Sequence, residues 1–285
     1  MKYSRIFASI TSAALFMSMG TAVYADDTTP AASGNTVTVN KTYTQKGLGE
    51  SPAETFTLVQ TGAEKTDGDY TGTIPALQMT SGAAYTAEDG ATPDGNTKTF
   101  TITLPTAAEY GNVPGLYTYT LAEAVPAQQN AGVTYAPSTE TVSINVMVAY
   151  NNDGVLEVTG GVANTSTTEG QTEKNDTINN TYSANELTIS ETVEGNGGDR
   201  GKEFSYTVTL TGDTSKVYQP INFAVESSSN GDSSAEASQP QTVTVNGDAY
   251  SFTLKQGETA VLTNIPAGVS YVVTEDDYSK DGYTT

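Results

Sequence analysis

The sequence predicts an all-β protein made of two tandem Ig-like β-sandwich domains, and three observations lead to this prediction. The 285 residues include 48 threonines and 27 glycines, which favour strands and turns. Short runs of alternating apolar and polar residues recur along the chain, separated by turn-rich segments such as 92–96 and 151–154. The chain shows no long amphipathic helical pattern. At about 150 residues per domain, the length suits two domains.

The two domains are expected at residues 36–183 and 186–285, with a junction near Ser183–Asn185. Strands of the first are predicted at 36–43, 55–61, 98–104, 116–125, 141–150, 154–160 and 177–182. Strands of the second are predicted at 187–193, 203–211, 241–246, 250–254, 259–264 and 269–275. We expect the second domain to be incomplete, because the chain ends before a closing strand is reached. Residues 26–35 are predicted to be a flexible lead-in.

Residues 1–25 are predicted to be a signal peptide. Lys2 and Arg5 precede a short apolar run, and Val23 and Ala25 are the small residues that a signal peptidase requires before its cleavage site. We therefore expect cleavage after Ala25, secretion, and no membrane insertion afterwards. The alternative is an uncleaved membrane anchor, which the short run, interrupted by serine and threonine, disfavours.

The composition excludes several classes of chemistry. The chain has no cysteine, histidine or tryptophan, which excludes thiol nucleophiles, Ser-His-Asp triads, disulfides and zinc sites built from thiolate or imidazole. Its net charge of -21 disfavours nucleic acid or an anionic membrane as a partner. Neither a nucleotide-binding motif nor a twelve-residue calcium loop is present, so we expect no cofactor and no metal.

Three polar residues are predicted to face the core of the first domain. Strand alternation puts Lys41 on the face of Val39 and Tyr43, and it puts Glu123 on an apolar face of the middle strand. Asn180 lies between two large apolar residues of the last strand. Because buried polar groups are costly unless they satisfy one another, we expect these three side chains to meet.

A buried lysine and a buried asparagine beside a glutamate can react with each other. Burial favours a neutral lysine amine, which can attack the carboxamide carbon of Asn180 while Glu123 hydrogen-bonds to the carbonyl oxygen and shuttles protons. Ammonia leaves, and an amide joins Lys41 to Asn180. The alternative is an unreacted buried ion pair of Lys41 and Glu123, with Asn180 as its hydrogen-bond partner. A glycosidase is disfavoured, since we expect no second inward acid beside Glu123 in this domain.

Residues 36–182 resemble the FctA-type major pilins of Gram-positive bacteria, whose domains carry self-formed Lys-Asn isopeptide bonds. The resemblance lies in an opening motif at 39–43, a middle motif at 117–123 and a closing motif at 178–182. The family's closing motif commonly begins with phenylalanine, and Ile178 stands there instead. The resemblance implies that Lys41 and Asn180 are the cross-linked residues and that Glu123 is catalytic.

The second domain resembles the Cna-B-like modules of surface proteins at residues 254–259 and 268–275. The counterpart of Glu123 is Glu275, but Glu191 stands where the lysine is expected. We expect Glu191 either to lie exposed at a strand edge or to be displaced by a register slip that lets Lys202 enter. We expect no isopeptide bond in this domain, because a carboxylate at Glu191 cannot attack a carboxamide; entry of Lys202 is the alternative that would supply an amine.

The resemblance implies a structural shaft subunit of a sortase-assembled pilus, which is not an enzyme beyond its single self-catalysed turnover. The implied partners are copies of itself, a pilin sortase and minor pilins, and the implied location is the cell wall. The competing interpretation is a surface adhesin or stalk protein that binds a host ligand through loops such as 62–97 or 226–238.

The candidate lysine for sortase linkage is Lys174. It lies in the polar stretch 165–176, shortly before Asn180, where FctA-type pilins carry their linking lysine. Lys46 and Lys65 are predicted to lie in turn-rich connections, with Lys46 as the next candidate.

Overall fold

The computed structural model describes residues 36–283 except residues 81, 87, 167–171, 175 and 228–240. The expected signal peptide, the lead-in 26–35 and most of the loop 226–238 lie outside the described residues. In the part that is described, no helix is long and apolar enough to cross a membrane.

The described chain is made of β-strands, with one 3-10 turn at Ser279–Asp281. The strands of the first domain are β1 (Thr36–Gly47), β2 (Glu54–Phe56), β3 (Leu58–Lys65), β4 (Gln78–Met79), β5 (Ala83–Tyr85), β6 (Asn96–Thr103), β7 (Gly115–Glu123), β8 (Gln129–Asn130), β9 (Val133–Thr134), β10 (Thr141–Tyr150), β11 (Leu156–Val162), β12 (Asn164–Ser166) and β13 (Thr172–Lys174). β14 (Thr177–Ser190) is followed by β15 (Phe204–Thr211), β16 (Lys216–Val217), β17 (Ile221–Ser227), β18 (Gln241–Val243), β19 (Tyr250–Leu254), β20 (Glu258–Pro266) and β21 (Ser270–Glu275). The predicted all-β class is confirmed.

The first domain is a sandwich of two sheets around one apolar core. One sheet has the order β14-β1-β6-β4, and the facing sheet has the order β11-β10-β7-β3. β1 pairs with β6 antiparallel and with the first part of β14 parallel, so the first and last strands of the domain are neighbours. The burial of β1 alternates along its length, with Val37, Val39, Lys41 and Tyr43 inward, as predicted.

β14 runs without a break through the predicted junction near Ser183–Asn185. Ala184 pairs with Gly47 of β1 on one side and with Pro266 of β20 on the other. The prediction of two separate strands, 177–182 and 187–193, is therefore wrong. A register shift between Asn185 and Leu187 explains why the sequence looks like two strands: one extra residue in a strand reverses which side chains face inward, so the apolar alternation is interrupted there. Even-numbered residues are buried before the shift, and odd-numbered ones lie inward after it.

The second domain shares β14 with the first and packs two sheets around its own core. The order β18-β17-β20-β14 continues the sheet of the first domain into one eight-stranded sheet, and β19-β15-β21 faces it. The domains also meet where the Tyr182 hydroxyl donates to the buried Asn264 Oδ1, 2.7 Å away. A short parallel pairing of β8 with β16 adds a second connection.

Several strands differ from the predicted ones. β17 and the short strands β4, β5, β8, β9, β12, β13 and β16 were not predicted from the sequence. β4 and β5 lie within residues 62–97, so this predicted loop contains regular structure. β7 ends at Glu123, two residues earlier than predicted. Tyr271 in β21 is largely exposed, because β21 lies at the edge of its three-stranded sheet.

We predict that Gly47→Ala destabilises the protein more than Gly154→Ala does. Both glycines have a left-handed φ, 87° and 75°, which costs an alanine about 1–2 kcal/mol. A Cβ at Gly47 would also lie 2.0 Å from the backbone oxygen of Ala184, whereas a Cβ at Gly154 would meet no atom within 4 Å. Urea unfolding followed by circular dichroism measures both free energies of unfolding, and equal losses would contradict the prediction.

Candidate functional site

Lys41, Glu123 and Asn180 meet in the core of the first domain, as the sequence predicts. Lys41 and Asn180 are 0% exposed and Glu123 is 3% exposed. β1 and β14 carry the lysine and the asparagine on the inward face of one sheet, and β7 carries the glutamate on the facing sheet. The parallel register pairs Lys41 with Ile178 and Tyr43 with Asn180, so Lys41 and Asn180 are offset by two residues on adjacent strands and lie on the same face.

Glu123 bridges the other two side chains with its two carboxylate oxygens. Its Oε2 lies 2.5 Å from Lys41 Nζ, and its Oε1 accepts a hydrogen bond of 2.7 Å from Asn180 Nδ2. Within the described part of the chain, Lys41 Nζ and Glu123 Oε2 have no hydrogen-bond partner beyond their ion pair. The carboxylate thus contacts both the amine and the amide nitrogen.

The orientation of the Asn180 carboxamide is fixed by a backbone group. The N–H of Ala136 donates to Asn180 Oδ1 at 2.8 Å. Because a backbone N–H can only donate, the carboxamide oxygen must face Ala136 and the NH2 group must face Glu123. The prediction that Glu123 hydrogen-bonds to the carbonyl oxygen is wrong, because Glu123 Oε1 accepts from Asn180 Nδ2 while the Ala136 N–H donates to the oxygen.

Aromatic rings surround the lysine side chain. Lys41 Nζ lies 4.5 Å from the ring centroid of Phe56, and the rings of Tyr43 and Tyr85 pack edge-on against Phe56. The Tyr85 hydroxyl donates to the backbone oxygen of Lys41 at 2.6 Å, which holds β1 in place at this point. Burial lowers the pKa of Lys41 below its usual 10.5, against the opposing effect of Glu123. The direction agrees with the expected shift towards a neutral amine.

A second buried carboxylate, Glu54, lies in the same domain, so the expectation of no other inward acid is wrong. Its Oε1 accepts hydrogen bonds from the Tyr135 hydroxyl at 2.5 Å and from Asn130 Nδ2 at 2.9 Å. The predicted strand began at residue 55 and left Glu54 out. If the predicted strand is extended by one residue, its alternation puts Glu54 on the same inward face as Phe56.

The lysines considered for polymer linkage lie in different settings. The backbone of Lys174 is in β13, which pairs with β12 as a hairpin, and its side chain lies outside the described residues. Lys46 is exposed near the end of β1. Lys65 lies in β3 with a largely buried side chain, 2.6 Å from Asp67. The prediction that Lys46 and Lys65 lie in turn-rich connections is wrong, because both strands extend further than predicted.

In the second domain, two acids stand where the first domain has a lysine and an acid. Glu191 is buried and accepts a hydrogen bond from the Tyr206 hydroxyl, so the expectation of an exposed edge position is wrong. Burial and the neighbouring Glu191 raise the pKa of Glu275. No register slip brings in Lys202, whose Nζ instead lies 2.9 Å from Asp281 Oδ2 and 4.8 Å from the ring centroid of Tyr278.

We predict that Glu275→Gln makes the second domain more stable at neutral pH and less sensitive to pH. A carboxyl whose pKa is raised by folding contributes stability below its ordinary pKa, and that contribution is lost as the pH rises through the folded value. A glutamine side chain does not titrate, so Glu275→Gln does not lose this stability as the pH rises. Unfolding midpoints between about pH 4 and pH 8 measure the effect, with the exposed Glu194→Gln as control. Identical pH dependence in wild type and Glu275→Gln would contradict it.

Comparison with known proteins places these features in a family. The family described as "Spy0128-like isopeptide containing domain" (FctA) matches residues 37–183, just over half of the chain, and a domain of unknown function (DUF7601) matches residues 185–285. A curated protein named pilin, from Streptococcus pyogenes serotype M1, is 33% identical over 176 residues. The match covers 60% of this chain and 47% of that protein, so the chain spans about half the length of this relative.

Solved structures of pilins are also similar to this chain. The crystal structure of the major pilin from Streptococcus pyogenes is 25% identical, with a TM-score of 0.49, over 87% of this chain and 84% of that one. The major pilin protein T3.2 from Streptococcus pyogenes is 24% identical, with a TM-score of 0.48, over 88% and 85% of the two chains. On the sequence match over residues 37–183, the chain belongs to the FctA family of Spy0128-like isopeptide-containing domains.

Proposed function

We propose that this chain is a structural shaft subunit of a sortase-assembled surface pilus, and that an isopeptide bond between Lys41 and Asn180 locks its first domain. The observation that carries the proposal is the buried contact of Lys41, Glu123 and Asn180 between the first and last strands of a domain in this family. The protein acts as a durable component of the fibre. The one reaction it catalyses is the formation of the bond within its own chain.

The bond forms by attack of Lys41 Nζ on Cγ of Asn180. Glu123 takes a proton from the lysine through Oε2 and delivers a proton through Oε1 to Asn180 Nδ2, the two atoms it already contacts. The Cγ–Nδ2 bond breaks, ammonia leaves, and Glu123 returns to its starting protonation state. The lowered pKa of Lys41 favours the neutral amine that this attack requires.

The cross-link suits a protein under tension. It joins β1 to β14, so the ends of the domain cannot separate by breaking the β1–β14 hydrogen bonds one after another. Closing a loop of about 140 residues stabilises the folded state by ~5 kcal/mol in the loop-entropy model. β14 begins shortly after Lys174 and continues into the second domain, so a load applied at Lys174 would pass along this one strand.

Secretion and assembly complete the proposal. The signal peptide is removed after Ala25, the mature subunit reaches the cell wall, and a pilin sortase joins Lys174 of one copy to the next copy. Minor pilins are further partners. The net charge of -21 argues against a nucleic-acid partner.

We predict that the folded wild type has lost one ammonia relative to its sequence mass and that Glu123→Ala retains the full mass. Glu123 contacts both the amine and the leaving nitrogen, so its removal takes away the group that transfers protons between them. Intact mass spectrometry measures the difference, and circular dichroism checks that Glu123→Ala is folded. The matched control is Glu140→Gln, which removes a carboxylate that acts on Lys41 only through its charge and should leave the ammonia loss intact. A folded wild type at full sequence mass would refute the bond.

We predict that Lys174→Ala abolishes the high-mass ladders of this protein in cell-wall extracts. Sortase transfers the next subunit to a lysine amine, so Lys174→Arg should behave like Lys174→Ala despite keeping its positive charge. Immunoblots of wall extracts measure the ladders, with Lys46→Ala as the exposed-lysine control. If the ladders persist in Lys174→Ala and disappear in Lys46→Ala, the linkage is at Lys46.

A further inference from the structure

The carboxamide oxygen of Asn180 faces a backbone donor in a site where negative charge would develop. When Lys41 Nζ attacks Cγ, the electron pair of the C=O bond moves onto Oδ1, and it returns when the Cγ–Nδ2 bond breaks. The Ala136 N–H is already 2.8 Å from this oxygen and is buried. A fixed donor aimed at a developing oxyanion lowers the barrier most where water is excluded.

The segment that carries this N–H is held on both sides. Upstream, β9 pairs with β14 through Val133–Tyr182 and Thr134–Thr181, immediately beyond Asn180. Downstream, Pro137 restricts Ala136 to extended backbone conformations. The N–H therefore keeps its direction towards β14.

The buried Glu54 fixes the residue between β9 and Ala136. The Tyr135 hydroxyl donates to Glu54 Oε1 at 2.5 Å and accepts from the Asn130 backbone N–H at 3.1 Å. The Tyr135 ring packs edge-on against Phe56, the ring beneath the lysine amine. A buried carboxylate is costly unless its oxygens are satisfied, and this one uses two donors to hold the segment next to the reacting amide.

The geometry points to the Ala136 N–H as the oxyanion donor of the isopeptide reaction, with Glu54 and Tyr135 as the positioning residues that hold it. This inference rests on the proposed bond between Lys41 and Asn180. The two groups then have separate roles: Glu123 transfers protons between the two nitrogens, and the Ala136 N–H stabilises the negative charge on the oxygen.

Replacing the backbone amide at Ala136 by an ester tests the donor directly. The α-hydroxy acid of alanine, introduced during cell-free translation of the full chain, removes the N–H and keeps the methyl side chain. After translation is stopped, acid-quenched samples are analysed by intact mass, and limited proteolysis of the same samples follows folding. We expect ammonia loss to slow about 100-fold, the usual effect of deleting one oxyanion donor.

The matched control is the same ester at Ala131. Its N–H donates to the backbone oxygen of Val217, also at 2.8 Å, and touches no reacting atom. Ammonia loss at the wild-type rate in the Ala131 ester and slow loss in the Ala136 ester support the inference. Equal rates in wild type and the Ala136 ester overturn it, and so does equal slowing by both esters. A wild type that never loses ammonia overturns the bond itself, which separates failure of the proposed function from failure of this inference.

Side-chain variants test the positioning residues. Glu54→Gln keeps an oxygen that can accept from Tyr135 and Asn130, so it should react at a rate close to wild type, whereas Glu54→Leu and Tyr135→Phe should slow the reaction. The same changes made together with Glu123→Ala report their effect on stability in a protein that cannot cross-link. A slowed reaction without a matching loss of stability supports positioning. The positioning role is overturned if the variants slow ammonia loss only in proportion to the stability they lose, or if Glu54→Gln reacts slowly.

Discussion

The contact between Lys41 and Glu123 is the constraint on which the first domain depends. A lysine and a glutamate taken out of water cost several kcal/mol unless their polar groups meet, and here the carboxylate that contacts the amine comes from the opposite sheet. The two sheets must therefore pack so that the end of β7 that carries Glu123 lies within reach of Lys41 on β1. The parallel register of β1 and β14 then brings Asn180 to the same carboxylate. The buried contacts of one carboxylate thus relate three strands that are distant in sequence.

β14 extends this arrangement beyond the first domain. A single register shift after Asn185 reverses the side chains that face inward, so one strand closes the first core and opens the second. The Tyr182 hydroxyl in the first half of β14 donates a hydrogen bond to Asn264 in β20, which links the first domain to the second. The cross-link that we propose at Asn180 would therefore be attached to the strand that continues into the second domain.

The second domain shows what the same layout becomes without the lysine. Burial and the neighbouring Glu191 raise the pKa of Glu275, and the Tyr206 hydroxyl, which donates to Glu191, acts in the opposite direction on Glu275. Lys202, the nearest lysine in sequence, is held by Asp281 and aromatic rings instead. Among the described residues, the charged or polar groups that act on Glu275 are Glu191 and the Tyr206 hydroxyl, and the covalent chemistry we propose concerns the first domain.

The sequence by itself determined the all-β class and the inward positions of Lys41, Glu123 and Asn180, because the alternation of side chains along a strand is a local property. It did not reveal that β14 is continuous, since a one-residue register shift in a paired strand looks like two strands. Glu54 was missed because β2 is only three residues long. The Ala136 N–H could not be found at all, because every residue except proline has a backbone N–H and only packing decides which one faces a reacting oxygen. These features depend on contacts between distant segments, and only the tertiary structure fixes those contacts.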